Sequence, residues 1–381
     1  MKVLLLSAYD AASHQRWRQT ITTEFSDFQW QVLTLPPRHF SWRIRGNSLT
    51  WSLTQHSLLS APYDLVIATS MTDLATLRGL VPQLCEVPTL LYFHENQFSY
   101  PQNKSRHGAV EAQMVSIYSA LAADGLAFNS NYNLDTFMQG VSRLLSKLPD
   151  HVPEGIVEQL KVKSCVLPVP ILAQAPVASR PNRPDKLSVV WNHRWEYDKG
   201  PDRLLRLISA LAKAEYGHYE LHIIGQQFRS LPDEFKQIKM LVEHSPALSL
   251  KSWGFIESEA RYRKVLSACD VVLSTALHDF QGLSVLEAVG AGCCPVVPDR
   301  LAYQELLDQG YRYEVDENNV DVEVTSAVRK LGILADLKNN KGLLPVPSVE
   351  FLTPAVLNEK YLSCFESLIE NKRNNGLGSS A

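Results

Sequence analysis

Short apolar runs of strand length alternate with stretches of helical periodicity, and the alternation starts twice along the chain. The first series opens with Lys2–Leu6, a turn over Ser7–Ser13 and a helical stretch His14–Glu24. Gln31–Leu35, Leu65–Ala68, Thr89–Phe93 and Gly125–Asn129 read as further strands, with helices predicted over Thr72–Gly79 and Val110–Ala122. In the second series Leu187–Asn192, Glu220–Gly225, Leu248–Trp253, Asp270–Ser274 and Cys294–Val297 read as strands. Pro201–Ala214, Phe235–Glu243, Ser258–Ala268 and Gly282–Gly290 read as the helices between them. Continuous apolar runs are what strands buried on both faces look like, and the intervening helices supply the crossovers of a parallel sheet. The expected fold class is therefore α/β, with two doubly wound parallel-sheet domains facing across a cleft that holds the ligand. Residues 173–186, rich in Pro, Ala and Arg, read as the linker. That sets the expected domains at 1–172 and 187–352, with a closing amphipathic helix over 353–370. A chain of 381 residues, at about 150 per domain, agrees with two. No internal repeat is visible.

Composition excludes several classes. With 45% apolar and 20% charged residues the chain is not globally disordered. A net charge of -3, from 37 basic and 40 acidic side chains, excludes a protein that works by blanketing nucleic acid, while leaving room for a local basic patch. The six cysteines form no CxxC pair, which argues against a disulfide scaffold or a zinc knuckle; buried free thiols in a reducing compartment are expected. The apolar run Val3–Leu6 is too short for a signal peptide, and no stretch of about 18 apolar residues predicts a membrane span. The expected location is cytoplasmic. The tail Asn371–Ala381 is expected to fray.

The most informative string is HDFQGLSVLEAVGAGCCPVVP, His278–Pro298, just after a buried strand. Gly282 falls where a loop turns into a helix, and backbone N–H groups at such a start face an anion. Asp279 lies on the loop and Glu287 about a turn and a half into the helix. Carboxylates beside a phosphate site need a reason, and hydroxyl recognition supplies one, as the acidic residue of dinucleotide folds does for ribose. A second string, VVWNHRWEYDKGPDRLL, places Arg194 and Lys199 just off a strand end, where two cations can converge on a diphosphate leaving group. Gly225 ends the strand ELHIIG, as a close backbone approach near a nucleotide base would need.

The pattern of Asp279, Gly282, Glu287-Ala288 and a following Gly-x-x-Pro-Val resembles the nucleotide-sugar motif of the retaining glycosyltransferases of family 4, which have the GT-B fold of two Rossmann-like domains. The resemblance implies that Glu287 holds the nucleotide ribose and Asp279, in place of the usual Glu, the donor sugar hydroxyls. Main-chain N–H groups of Gly282, Leu283 and Ser284 would meet the diphosphate, and Arg194 and Lys199 would stabilise its departure. The strings HENQFSYP, NHRWEYDKGPDRL and HDFQGLSVLEAVGAGCCP together resemble the tRNA-queuosine mannosyltransferases, over about residues 3 to 365. That family transfers mannose from GDP-mannose to the cyclopentene-diol of queuosine at the tRNA wobble position.

In the N-terminal half, His94, Glu95 and Asn96 follow one predicted strand and Asn129 the next, at strand ends that face the crevice. His94 is a candidate for hydrogen bonding the transferred sugar or the acceptor hydroxyl; His14, at the start of the first helix, is a candidate cleft residue or a simple cap. A tRNA acceptor demands a basic surface, and Pro36–Trp51 offers one. Arg38, His39, Arg43 and Arg45 alternate there with Phe40, Trp42 and Trp51, with no acid between. Lys104, Arg106 and His107 would extend it.

The expected reaction is glycosyl transfer with retention, without a cofactor and without a divalent metal, since no DxD pair is positioned for one and cations substitute. Two other readings stay open: the same donor site serving a lipid or polysaccharide acceptor, and a non-catalytic module that binds tRNA alone. The hexose and the oligomeric state also stay open.

Overall fold

The computed structural model describes residues 1–99, 109–172, 186–213, 218–228 and 230–378. The expected linker, save Lys186, and Lys104, Arg106 and His107 lie outside the described residues. The chain forms two units, Met1–Pro170 with Pro354–Ala381, and Ile171–Thr353.

The first unit holds β1 (Lys2–Ser7), β2 (Gln29–Thr34), β3 (Leu65–Thr69), β4 (Thr89–Phe93), β5 (Gly125–Phe128) and β6 (Ser164–Val166). Its helices are α1 (Ala12–Glu24), α2 (Phe40–Thr54), α3 (His56–Leu59), α4 (Leu74–Leu80), α5 (Ala109–Ala122), α6 (Asn131–Leu145) and α7 (Ile156–Val162). The strands pair in parallel in the order β2-β1-β3-β4-β5-β6. Central strands β3, β4 and β5 are buried at every position, as their unbroken apolar runs require. The order reverses between β1 and β3, so the crevice of this sheet opens at their C-terminal ends.

The second unit holds β7 (Lys186–Trp191), β8 (His218–Ile224), β9 (Leu248–Gly254), β10 (Val271–Leu273), β11 (Cys294–Pro298) and β12 (Arg312–Tyr313). Its helices are α8 (Pro201–Lys213), α9 (Glu234–His244), α10 (Glu259–Ala268), α11 (Leu283–Gly290), α12 (Tyr303–Leu306) and α13 (Val320–Lys341). The order β12-β11-β10-β7-β8-β9 puts the reversal between β10 and β7. Helix α8 buries Leu204, Leu207, Ile208 and Leu211, a stripe at i, i+3, i+4 and i+7 that packs on the sheet.

The chain then returns to the first unit as α14 (Pro354–Gly378). The segment expected to close the molecule is thus part of the N-terminal unit, and the tail expected to fray continues that helix to Gly378. Tyr361 explains the anchoring. Its hydroxyl accepts from Trp17 Nε1 at 3.0 Å and lies 3.0 Å from the Pro168 carbonyl oxygen and 3.1 Å from the Tyr92 hydroxyl. Tyr361→Phe leaves the buried Trp17 N–H without that acceptor, a loss of about 1–3 kcal/mol. Urea unfolding should show it as a lower midpoint with an unchanged slope.

The cysteines are free, but only Cys269, Cys293 and Cys294 are buried as expected; Cys85 is exposed and Cys165 and Cys364 are half-buried. Among the described residues, no helix is long and apolar enough to cross a membrane.

Candidate nucleotide-sugar site

The loop after β7 and the loop after β10 meet at the point where the strand order of the second sheet reverses. Both informative sequence strings therefore converge there. Lys199, 7% exposed, is engaged locally: Nζ donates to the His278 carbonyl oxygen at 2.6 Å and to Asp279 Oδ2 at 3.4 Å, and lies 3.3 Å from Asp198 Oδ2. Arg194 Nη2 reaches the same Asp198 oxygen at 3.5 Å, and its Nη1 pairs with Glu196. The two predicted cations thus come together through Asp198, a residue sequence reasoning passed over although it stands inside the same string. Two cations face three carboxylates, so net charge alone would not recruit the diphosphate expected here. Directed donors would have to do so.

Those donors sit at the start of α11. Gly282 adopts φ 75°, and a Cβ there would come within 2.5 Å of Tyr303 Cε1, so only glycine fits the turn. The Gly282 N–H, expected to face phosphate, instead donates to Asp279 Oδ1 at 2.9 Å. The amide expected for the diphosphate and the carboxylate expected for the sugar hydroxyls thus meet each other here. Asp279 is held by the loop amide and Lys199, because a carboxylate three residues before a helix start closes on the nearest free N–H. The amides left over by the helix pattern are those of Leu283, Ser284 and Val285, since the first bond of α11 runs from the Leu286 N–H to the Gly282 carbonyl. Burial would raise the Asp279 carboxyl, but Lys199, His193 and the Gly282 amide hold it below its ordinary value.

Glu287 Oε2 accepts from the Tyr262 hydroxyl at 3.2 Å, and Asn192 Nδ2 lies 3.1 Å from that hydroxyl and donates to the Ser284 carbonyl at 2.7 Å. Tyr262 and Asn192 were not foreseen, since they come from α10 and the end of β7. Gly225, at φ 151°, has a second reason to be glycine: a side chain there would run into the His193 carbonyl oxygen. His193 Nδ1 lies 3.3 Å from Ser284 Oγ. Burial, reinforced by Lys199, lowers His193 to about 3 and His278 to about 4, so both rings are neutral near pH 7. Among the described residues, no group of three or more His, Cys, Asp or Glu side chains could hold a metal ion.

In the first unit, His14 and His94 stack with ring centroids 4.2 Å apart, and Trp17 meets His94 edge-on at 4.8 Å. His14 is the third residue of α1, buried, and caps nothing. Burial lowers both imidazoles, His94 further because His14 adjoins it. Glu95 is half-buried. Asn96 and Asn129, expected to line a cleft, are buried and joined through Asn133: Asn96 Nδ2 donates to Asn133 Oδ1 at 2.9 Å, and Asn133 Nδ2 to Asn129 Oδ1 at 2.8 Å. Their amides tie the β4 and β5 loops to α6 instead of pointing at an acceptor.

Residues 36–51 are not one exposed basic and aromatic stripe. From Phe40 they form α2, and its periodicity sorts them. Trp51 is core at 2% exposure, and Arg43 is buried. Arg45 is exposed but pairs with Asp73 at 3.0 Å and Glu111 at 3.3 Å. Arg38, His39 and Trp42 stay exposed.

In comparison with known proteins, residues 2–171 match the family model described as tRNA-queuosine alpha-mannosyltransferase N-terminal, and residues 177–331 that of Glycosyl transferases group 1. The chain is 29% identical over 320 residues to a tRNA-queuosine alpha-mannosyltransferase of Drosophila melanogaster, across 82% of this chain and 83% of that one. Among solved structures it is similar to TarM, with TM-score 0.56 and 16% identity over 84% of this chain; it spans only 58% of TarM's length. It is also similar to a UDP-forming α,α-trehalose-phosphate synthase from Burkholderia xenovorans, with TM-score 0.58 and 11% identity over 99% of this chain and 98% of that one.

Proposed function

From the premise that this chain belongs to the tRNA-queuosine α-mannosyltransferase family, and is a glycosyltransferase of the GT-B architecture, we propose that it moves mannose from GDP-mannose onto the cyclopentene-diol of queuosine at the tRNA wobble position, with retention. The observation that carries the donor half is the buried Lys199, held beside the start of α11 at the switch point of the second sheet. The match of residues 2–171 supports the acceptor half.

The leaving diphosphate lies against the amides of Leu283 and Ser284, with the half-exposed Arg194 guanidinium and Lys199 absorbing its developing charge. The bond from the anomeric carbon to the diphosphate oxygen breaks. The acceptor hydroxyl oxygen bonds that carbon from the same face, and its proton passes to the departing phosphate oxygen. Cationic side chains fill the place a divalent metal takes in other transferases, so a chelator should leave turnover unchanged.

Glu287 takes the ribose hydroxyls, oriented by Tyr262. Glu287→Gln should lower kcat/KM by roughly 10- to 150-fold, mostly through donor KM, as the loss of a hydrogen bond to a charged group implies. Tyr262→Phe should do so more mildly. Steady-state kinetics over a donor titration check both.

The deciding experiment incubates the protein with queuosine-containing tRNA and each GDP- or UDP-hexose, then weighs the nucleosides after digestion. A queuosine heavier by one hexose with GDP-mannose alone is expected. No added hexose with any donor, or transfer to a lipid or polysaccharide instead, overturns the assignment.

A further inference from the structure

Trp42 is 54% exposed on α2, an unusual place for so large an apolar side chain. Its ring lies across Gly46, one turn further on: a Cβ at Gly46 would come within 2.5 Å of Trp42 Cε2 and 2.6 Å of Cζ2. Glycine inside a helix costs roughly 1 kcal/mol relative to alanine. What its missing methyl achieves here is a flat indole laid against the helix with half of its surface open to solvent. The neighbouring residue adds a second oddity. Arg43 is only 8% exposed, its Nε is sealed from solvent without a hydrogen-bond partner, and no carboxylate pairs with it among the described residues. A sealed N–H without an acceptor is costly, and an anionic ligand at this guanidinium brings a counter-charge that no described carboxylate supplies. One turn beyond Arg43, Asn47 holds the backbone just after β3, donating to the Met71 carbonyl at 3.2 Å and accepting from Asp73 N–H at 3.1 Å. These residues therefore adjoin the crevice end of the first sheet.

We infer that the first turns of α2 receive an unpaired stretch of the RNA acceptor, with one base stacked on the Trp42 indole and one backbone phosphate on the Arg43 guanidinium. The inference rests on the tRNA-acceptor reading above and names the residues that would carry it. Charge favours RNA over a protein partner: Arg38, His39 and Arg43 stand in a stretch, residues 36–51, that holds no acid, while Arg45 is already paired with Asp73 and Glu111 from outside it. Leu49 and Leu53, exposed on the same helix at the following turns, make a second copy of this chain the competing occupant.

The test measures affinity for an end-labelled queuosine anticodon stem-loop by fluorescence anisotropy. Trp42→Ala should weaken binding roughly 5- to 150-fold, the loss of one base–aromatic stack. Gly46→Ala should also weaken it, because the new methyl displaces the ring, while thermal stability stays level or rises. A merely structural glycine would not separate the two. Arg43→Gln should reduce the slope of log affinity against log salt by about 0.7. Affinity for GDP-mannose, by calorimetry, should be the same in all three. Wild-type RNA affinity in both Trp42→Ala and Gly46→Ala overturns the stacking platform, and an unchanged salt slope overturns the phosphate contact. Trp42→Ala that splits a dimer in sedimentation without touching RNA affinity also overturns the inference, in favour of self-association. Failure of the wild-type protein to bind or glycosylate RNA overturns the acceptor reading together with it.

Discussion

Replacing Lys199 with alanine is expected to lower kcat by about two to three orders of magnitude, the usual cost of removing one directed stabiliser of developing charge. The geometry explains why this lysine matters more than Arg194. Arg194 is half-exposed and already paired with Glu196, so water screens it. The Lys199 ammonium stands between Asp198 and Asp279, and is anchored by the His278 carbonyl. Without it, the buried Asp198 and the half-buried Asp279 would confront each other and the proposed diphosphate unscreened. Removing the cation of a buried pair also costs stability, on the order of 3–5 kcal/mol. The measurement is therefore turnover per folded molecule, with the folded fraction taken from calorimetry. Lys199→Arg is the companion variant: it keeps the charge but not the geometry, and should fall between wild type and alanine. Arg194→Ala should lose about tenfold or less. If Lys199→Ala turns over like wild type per folded molecule, the site does not stabilise the leaving group in the way described.

The parts of this molecule that sequence made legible are those whose physical signal is local. Central strands such as Val3–Leu6 and Leu65–Thr69 are buried on both faces, and an unbroken apolar run announces them. Helix α13 was invisible although Val324, Ala327, Leu331 and Leu334 turn inward at helical spacing; Gly332 and the exposed Ile333 blur the contrast that marks such a face. The stretch 36–51 misled for a related reason. Written in a line, its arginines and aromatics alternate, but wound at 3.6 residues per turn they separate into a buried set with Arg43, Ile44 and Trp51 and an exposed set with Trp42 and Arg45. At the candidate donor site, residue types and spacing singled out Lys199, Asp279, Gly282 and Glu287, which the fold does bring near one another. The bonds among them were not legible, because they join positions far apart: Lys199 meets His278 across 79 residues and Glu287 meets Tyr262 across 25. Only the closing of the two β-loops at one switch point brings those together.

Four histidines buried as neutral rings should make the protein acid-labile well above the range where carboxylates titrate. His193 is lowered to about 3 and His278 to about 4, in both cases by burial first and by Lys199 second; His14 and His94 are lowered chiefly by burial. The direction follows from linkage. An unfolded histidine takes up its proton near pH 6.5, whereas these folded ones refuse it until far lower. Between those two values the unfolded state binds more protons, so stability is fully present above pH 7.5 and is lost as pH falls below 6.5. The loss continues until the folded rings charge near 3 to 4. At pH 5 His193 and His278 each account for about 2 kcal/mol, a large share of a domain's typical reserve of about 5–15 kcal/mol. Asp279 and Asp124, both lowered, add their own loss only below about pH 4, so decline above pH 5 belongs to the histidines. Urea unfolding at pH 7.5 and 5.0 measures it. His193→Asn and His278→Asn should each flatten the dependence by about 2 kcal/mol over that interval. Lys199→Ala should flatten it in part, since the ammonium is the second force holding both rings neutral. Equal unfolding free energies at the two pH values, or an unaltered slope in both asparagine variants, would mean that these imidazoles charge in the folded protein and that the buried cluster around Lys199 is wetter than its geometry implies.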